Sequence, residues 1–303
     1  MREKLAKDVF LRQMQEKQDE IETLLIQNLP REKSFQKTIF SAMEYSLLAG
    51  GKRLRPMMMK EAFLLFGGRD EETLSLFMAA IEMIHTYSLV HDDLPAMDND
   101  EYRRGKWTTH KKYGEDMGIL AGDALLNYAY ELAAKAVKES AEIENAAKAL
   151  CILTTKAGVY GMVGGQVVDV EMTGKSLTKE QIDFIYRLKT SALLEASLMI
   201  GATLAGAEAA DVTKMEQVGR NIGLAFQIQD DILDLVSTTE ELGKPVGSDA
   251  KNEKVTFVSL HGMEAAKQAV SSYSKEALSL MEGLSVQNPY LNTLIEMLIS
   301  RKK

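Results

Sequence analysis

Residues 218–235 of this 303-residue chain read VGRNIGLAFQIQDDILDL, and this stretch indicates the fold class. Its apolar residues recur every three or four positions, at Val218, Ile222, Ala225, Ile228, Ile232 and Leu235. Segment 74–90 repeats this spacing at Leu74, Phe77, Met78, Ile81 and Ile84. The spacing places apolar side chains on one face of an α-helix. Because the chain has only five prolines and is rich in good helix formers, we predict an all-α protein.

Composition narrows the functional classes. The net charge of −8 argues against a nucleic-acid-binding protein, which usually carries a basic surface. A single cysteine, Cys151, and an N-terminus without the apolar core of a signal peptide favour the cytoplasm. The uncharged stretch 196–207 is too short to cross a bilayer, so we predict a buried core helix there and no membrane span. No linker or low-complexity tract divides the chain, which predicts a single domain over residues 1–303.

The first acidic cluster consists of Asp92, Asp93 and Asp98 in the motif HDDLPAMD. Pro95 disfavours helical geometry in the residue before it and should end the preceding helix nearby. Carboxylates at a helix C-terminus are unfavourable unless a cation neutralises them. A divalent cation would do so, although a solvated acidic turn is the alternative.

The second cluster lies within the 218–235 helix, in FQIQDDILD. Gln227, Asp230 and Asp234 are three and four positions apart and form one polar stripe, with Asp231 beside it. Carboxylates at this spacing repel each other. Two clusters that offer only oxygen ligands favour Mg²⁺ bound together with substrate phosphates.

Basic residues form a third group, Lys52, Arg53 and Arg55 in GGKRLRP and Arg103 and Arg104 in RRG. Cations next to metal-binding carboxylates indicate a polyanionic ligand, since arginine matches phosphate oxygens with two parallel hydrogen bonds. A solvated basic loop is the alternative.

His85 lies two helical turns before Asp92, so it is expected to face the same cavity unless it is a core histidine. Glu82 and His85 also form an ExxH pair, which raises a di-iron helical bundle as a rival. That rival requires a second pair. The remaining histidines have no acidic residue three positions earlier, which makes the di-iron centre a poor fit.

At this point the chain resembles the trans-isoprenyl diphosphate synthases, and among them the bacterial farnesyl diphosphate synthases. The resemblance covers most of the chain and rests on an ordered series of motifs. These are GGKRLRP, EMIHTYSLVHDDLPAMDNDEYRRG, LAGDALL, GGQVVD, LKT, FQIQDDILD and GKPVGSDAKNEKVTF.

The resemblance implies a bundle of antiparallel helices around a deep central cavity, a homodimer, and about three Mg²⁺ between the two aspartate clusters. It implies that isopentenyl diphosphate and allylic diphosphates are the substrates. The metal ligands would be Asp92, Asp98 and Asp230, supported by Asp93, Asp231 and Asp234.

The same resemblance assigns the diphosphate sites. The allylic diphosphate would be held by Arg103, Lys189 and Lys244. Isopentenyl diphosphate would be held by Gly51, Lys52, Arg55, His85 and Arg104. Thr190 and Gln227 would lie near the reacting carbons, and Lys254 would close over the leaving diphosphate.

Two departures from the family pattern occur. Phe257 and Val258 replace a common Tyr-Pro pair after Lys254, which leaves the closure of region 244–258 open. Asn99 interrupts the acidic run after Asp98 and is not expected to abolish metal binding.

Product length is predicted from Tyr87 and Ser88, five and four residues before Asp92. In the resembling family, an aromatic residue at this fifth position, with the longer spacing between aspartates, accompanies farnesyl (C15) products. Tyr87 packing only between helices is the alternative. A C20 synthase, a class I terpene cyclase and a silent subunit of a heteromeric synthase remain rivals.

Overall fold

The computed structural model describes residues 2–31, 34–236 and 255–299. Helices form nearly all the regular structure in these ranges, which confirms the all-α prediction. They are α1 (Arg2–Asn28), α2 (Lys37–Leu47), α3 (Leu54–Leu65), α4 (Glu71–Asp92), α5 (Thr109–Tyr113), α6 (Glu115–Glu139), α7 (Ile143–Ala157), α8 (Met162–Glu171), α9 (Lys179–Ile185), α10 (Ala192–Leu204), α11 (Ala209–Val236), α12 (Phe257–His261), α13 (Met263–Glu282) and α14 (Pro289–Ile299).

The chain divides into two compact units. Unit 1 comprises Met1–Lys60 and Arg69–Leu150, and unit 2 comprises Glu61–Gly68 and Cys151–Lys303. Residues of α3 and α7 are therefore shared between the units. The single-domain organisation stays a prediction.

Helix α4 is the central helix of unit 1 and packs along α6. Its start is fixed by Asp70, whose side chain accepts a 3.0 Å hydrogen bond from the backbone N–H of Thr73. The five apolar residues predicted for its inner face are all buried. The helix ends at Asp92, three residues before Pro95, as the sequence predicted.

Helix α4 also has the length and apolar composition of a membrane span. However, 78% of its most apolar window is buried inside the protein. A core helix passes the same test of length and hydropathy. The sequence prediction considered segment 196–207 for this role, and most of it lies in the buried helix α10.

A short antiparallel hairpin follows α4. Strands β1 (Tyr102–Arg103) and β2 (Lys106–Trp107) pair across Arg104 and Gly105, which have φ angles of 53° and 74°. Two successive positive φ angles are typical of a two-residue turn whose twist suits a hairpin. The turn thus places two adjacent arginines, Arg103 and Arg104, in different surroundings.

Unit 2 is built around α11, which packs against α10 and α13. Its predicted apolar face is buried from Val218 to Ile232. The prediction was wrong for Leu235, which is 53% exposed one residue before the helix ends. The inner face therefore ends with Ile232 and Leu233.

Residues Tyr186–Ser191 form a π-helical turn between α9 and α10, a feature that the sequence analysis missed. Two glycines allow neighbouring helices to approach this wider turn. A Cβ atom at Gly165 would lie 2.3 Å from the backbone N of Lys189, and one at Gly223 would lie 2.3 Å from Oγ of Ser191. Such turns occur frequently at functional sites.

Candidate active site

The first acidic cluster folds back on itself after α4. The backbone N–H of Asp98 donates a 2.9 Å hydrogen bond to the carbonyl of Asp92. The N–H groups of Met97 and Asn99 both donate to the carbonyl of Leu94, at 2.8 and 3.1 Å. The backbone of Asp98 thus returns to the helix end that carries Asp92, although five residues separate them. Asp92 is half-buried and Asp98 is exposed.

The second aspartate of the motif, Asp93, has a different environment. It is 3% exposed, and Arg103 donates to both its oxygens, from Nε at 2.9 Å and from Nη2 to Oδ1 at 2.6 Å. Burial raises the pKa of Asp93, and Arg103 lowers it. The Asp93 carboxylate is therefore committed to Arg103 here, and its supporting role in metal binding stays a prediction.

Arg104 extends from the same hairpin to the basic segment. Its Nη1 donates to the carbonyl of Gly50, and the guanidinium covers Gly51. Gly51 has a φ angle of 130°, and a Cβ atom there would lie 2.5 Å from Arg104 Nη1. Glycine is therefore favoured at this position for two reasons, the positive φ angle and the close approach of the Arg104 guanidinium. The structure brings the two basic groups of the sequence together.

His85 and Arg55 lie beside these arginines. Burial lowers the pKa of His85 well below its ordinary value, and the neighbouring Arg55, Arg104 and Arg103 lower it further. Burial also lowers the pKa of Arg55 to about 10. Nε of Arg55 is buried and has no hydrogen-bond partner among the described residues. A neutral histidine beside several guanidinium groups suits an anionic ligand that supplies the missing negative charge.

In unit 2, the π-helical turn carries Lys189 and Thr190. Lys189 Nζ donates a 2.6 Å hydrogen bond to Asp169, the last residue of the GGQVVD motif. Thr190 donates to the side-chain carbonyl of Gln227 on α11 at 2.9 Å. The two residues predicted to lie near the reacting carbons are therefore in direct contact.

The aspartates of α11 differ in burial. Asp230 is half-buried, whereas Asp231 and Asp234 are each 2% exposed. Asp231 accepts hydrogen bonds from the hydroxyl of Tyr186 at 2.5 Å and from the backbone N–H of Phe257 at 2.9 Å. It thereby anchors the start of α12 to α11. Lys244 and Lys254 lie outside the described residues.

The sequence analysis did not identify the roles of three residues, Asp169, Arg53 and Glu82. Asp169 pairs with Lys189, and its position at the end of a motif was the only signal. Arg53 was noted only as a basic residue, yet it is fully engaged with Glu22 and Glu82. Glu82 thus pairs with an arginine, which gives the di-iron alternative no support.

No three His, Cys, Asp or Glu side chains in the described parts of the chain are arranged to hold a metal by themselves. Proteins commonly bind Mg²⁺ through one or two carboxylates together with water and substrate phosphates. The donors that Asp92 and Asp98 offer are all oxygens, which suits that ion.

Comparison with known proteins identifies the family. Residues 36–285 match the polyprenyl synthetase family. The chain is 46% identical over 262 residues to a geranylgeranyl diphosphate synthase of Cyanophora paradoxa, covering 86% of each chain. It is 42% identical over 260 residues to the farnesyl diphosphate synthase of Bacillus subtilis (strain 168), covering 86% of this chain and 88% of the relative.

A solved structure shows the same fold. The geranyltransferase of Helicobacter pylori, complexed with magnesium and isoprenyl diphosphate, superposes with a TM-score of 0.81 at 32% identity, covering 96% of each chain. The sequence match spans both compact units and includes both acidic clusters and the basic segment. The chain belongs to the polyprenyl synthetase family and is a prenyltransferase of the trans-prenyl diphosphate synthase type.

Proposed function

We propose that this protein condenses isopentenyl diphosphate with dimethylallyl and geranyl diphosphates to give farnesyl diphosphate and diphosphate. The observation that carries the proposal is the divergence of two adjacent arginines. Arg103 joins Asp93 beside the first acidic cluster, whereas Arg104 joins Gly50 and Gly51 of the basic segment. One hairpin would thus serve two neighbouring anion sites, which is the arrangement that an enzyme binding two diphosphates requires.

The two sites would have different occupants. Asp92 and Asp98 would receive the allylic diphosphate through Mg²⁺, and Arg103 would contact it directly. Isopentenyl diphosphate would be received by Lys52, Arg55, His85 and Arg104. Bound Mg²⁺ would neutralise the diphosphate charge, and the geranyltransferase of Helicobacter pylori, solved in complex with magnesium, supports this ion. Asp230 would complete the metal site, with about three ions as the family resemblance implies.

The reaction begins with cleavage of the allylic C–O bond, in which the bonding electrons leave with diphosphate. Arg103 and Lys189 would stabilise the charge that develops on the leaving group. The alkene of isopentenyl diphosphate then attacks the allylic cation and forms the new C–C bond. A proton is finally lost to an oxygen of the departed diphosphate, so no side-chain base is needed.

The cation must be kept from water while it exists. A deep cavity walled by apolar helices in a single domain would provide this protection. Thr190 and Gln227, hydrogen-bonded to each other, would lie near the reacting carbons. Lys244 and Lys254 would complete the closed site, with Phe257 and Val258 in place of the usual Tyr-Pro pair.

Product length is the finer part of the proposal. Similar relatives include both a C15 and a C20 synthase, so identity alone favours neither. Tyr87, five residues before Asp92, favours C15 because it is a large side chain that is only 7% exposed. A geranylgeranyl diphosphate synthase is the second candidate, supported by the 46% identity to the Cyanophora enzyme.

Two other rivals differ in what they bind. A terpene cyclase needs no second diphosphate site, so the separate surroundings of Arg103 and Arg104 argue against it. A silent subunit would need no acidic cluster, yet Asp92 and Asp230 are both present. We further propose a cytoplasmic homodimer, on the family resemblance and the single cysteine.

The test is incorporation of radiolabelled isopentenyl diphosphate by the purified chain. Dimethylallyl, geranyl and farnesyl diphosphates are offered separately, with Mg²⁺ or with excess chelator, and the products are separated by chain length. We expect C15 product from the first two substrates and none in chelator. Cyclised hydrocarbon without incorporation would indicate a cyclase. No product from the single chain would indicate a silent subunit, and sedimentation would establish the oligomeric state.

A further inference from the structure

Arg53 is a buried cation in the middle of an otherwise accessible basic segment. Its side chain is 0% exposed, whereas Lys52 before it is exposed and Arg55 is half-buried. Arg53 Nε donates to Glu22 on α1 and Nη1 donates to Glu82 on α4, both at 2.7 Å. Nη2 donates to the carbonyl of Leu47 at 2.6 Å. Each of the three nitrogens therefore donates within the protein, and the fully buried guanidinium is not accessible to a diphosphate.

The hydrogen bonds of Arg53 stabilise a backbone conformation that is unfavourable for a residue other than glycine. Arg53 has a φ angle of 50°, a region that residues other than glycine adopt at an energetic cost. It follows Gly50 and Gly51, whose φ angles of 97° and 130° are also positive. Gln18 of α1 donates a 2.8 Å hydrogen bond to the carbonyl of Gly51. Helices α1 and α4 thus fix the turn that carries Lys52 and leads into α3, of which Arg55 is the second residue.

Glu82 provides the negative charge at the centre of this arrangement. It lies one helical turn before His85 and is 2% exposed. Burial lowers the pKa of Arg104, and Glu82 raises it, as it also does for Arg55. A buried carboxylate therefore acts on three arginines that repel one another.

We propose that Arg53 and Glu82 are a buried positioning pair that orients Lys52, Arg55 and Arg104 for isopentenyl diphosphate without touching it. This rests on the proposed function, in which those three cations and His85 hold that substrate. The pair sets the direction of the cations, whereas the cations themselves provide the affinity. The contact between Arg53 and Glu82 joins the turn at residues 50–53 to helix α4, which carries His85.

Two substitutions distinguish a pair that positions the neighbouring cations from a pair that contributes only its charges. Arg53→Lys keeps the charge but cannot make all three hydrogen bonds. Glu82→Gln keeps the shape but removes a negative charge near the substrate. If Glu82 were only an opposing charge, Glu82→Gln would tighten binding of the trianionic substrate and Arg53→Lys would change nothing. If the pair positions the site, both substitutions weaken binding.

The assay is the KM for isopentenyl diphosphate and for geranyl diphosphate in the Mg²⁺-loaded enzyme, with calorimetric titration of isopentenyl diphosphate. We expect both variants to raise the KM for isopentenyl diphosphate at least about tenfold, since a displacement near 1 Å costs as much as about 100-fold. The KM for geranyl diphosphate should stay within about twofold of wild type. The double variant should be less than additive, because both changes break the same contact.

Glu195→Gln is the matched control. Glu195 is also 2% exposed and ion-paired, with Lys156, but it belongs to unit 2, whereas Arg53 and Glu82 belong to unit 1. Its substitution should lower the melting temperature and leave both KM values unchanged. Equal increases for both substrates, a tighter Glu82→Gln variant, or an effect of Glu195→Gln on isopentenyl diphosphate would overturn the proposal. If Glu82→Gln does not melt cooperatively, Arg53→Lys decides by the same criteria. A wild-type enzyme that incorporates no isopentenyl diphosphate would instead refute the proposed function.

Discussion

Substitution of Gly51 by alanine tests how closely the two basic groups must approach. The new Cβ atom would lie 2.5 Å from Arg104 Nη1, whereas ordinary contact begins at 3.4 Å. Arg104 must therefore move by about 0.9 Å, the difference between these two distances. A misplacement of this size in a substrate-positioning group costs as much as about 100-fold in rate. We expect kcat/KM for isopentenyl diphosphate to fall by about 10- to 100-fold.

Gly51→Ala also destabilises the folded backbone, and a control variant separates this loss of stability from the displacement of Arg104. A residue other than glycine at a φ angle of 130° is destabilised by about 1–3 kcal/mol. Gly67 has a φ angle of 75°, and a Cβ atom there would meet no neighbouring atom within 4 Å, so Gly67→Ala has a backbone cost without a displaced arginine. Both variants should unfold at lower denaturant concentration. Only Gly51→Ala should lose affinity for isopentenyl diphosphate, and an unchanged KM in that variant would refute the reasoning.

Further substitutions and conditions test the proposed metal site, the basic segment and His85. Asp92→Ala and Asp230→Ala should each lower turnover by orders of magnitude while the helical circular dichroism is retained, and excess chelator should abolish the wild-type rate; a normal rate in either variant would contradict the metal assignment. Arg104→Ala and Lys52→Ala should raise the KM for isopentenyl diphosphate more than that for the allylic substrate, and equal losses would mean a shared site. The pKa of His85 is lower in the folded protein than in the unfolded chain. Between these two pKa values the unfolded chain binds more protons, so the free energy of unfolding falls as the pH drops below about 6.5. Denaturant titrations at pH 7 and pH 5 should show this loss in wild type and a smaller loss in His85→Gln.

The sequence predicted the features that depend on local periodicity. Apolar spacing identified the buried faces of α4 and α11, and Pro95 identified the end of α4. These predictions succeed because a helix interior imposes its period on the residues that it buries. Leu235 was the exception, because periodicity does not reveal where the neighbouring helices end.

Features that depend on tertiary contacts could not be predicted from the sequence. Adjacent aspartates look equivalent in HDDLPAMD, yet Asp93 is buried against Arg103 while Asp92 is half-buried at the helix end. The separate environments of Arg103 and Arg104 depend on a hairpin with two positive φ angles. The π-helical turn depends on glycines of two other helices that are distant in sequence. Motif spacing places residues along the chain but does not identify their partners.

The last prediction concerns Tyr87 and product length. Its ring packs edge-on against His91 with centroids 5.8 Å apart, and Nε2 of His91 lies 3.1 Å from the carbonyl oxygen of Ile119 on α6. Burial raises the pKa of Tyr87 to about 12, with smaller contributions from nearby Tyr130 and Asp92. The side chain is therefore packed between helices and is also close to the first acidic cluster. Ser88, the next residue, is half-buried and donates a 2.8 Å hydrogen bond to the carbonyl of His85, so it adds little bulk to the helix surface.

We predict that Tyr87 stops chain growth, because close-packed walls admit another isoprene unit only if side chains move. Tyr87→Ala should release C20 and longer products at the expense of C15, with a loss of stability of about 3–5 kcal/mol typical of a deleted aromatic side chain. Tyr87→Phe is the matched control, because it keeps the ring and removes only the hydroxyl, and it should still give C15. Chromatography of the products decides between the two roles. If Tyr87→Ala still made only C15, the tyrosine would serve helix packing alone, and the limit on length would lie elsewhere in the cavity wall.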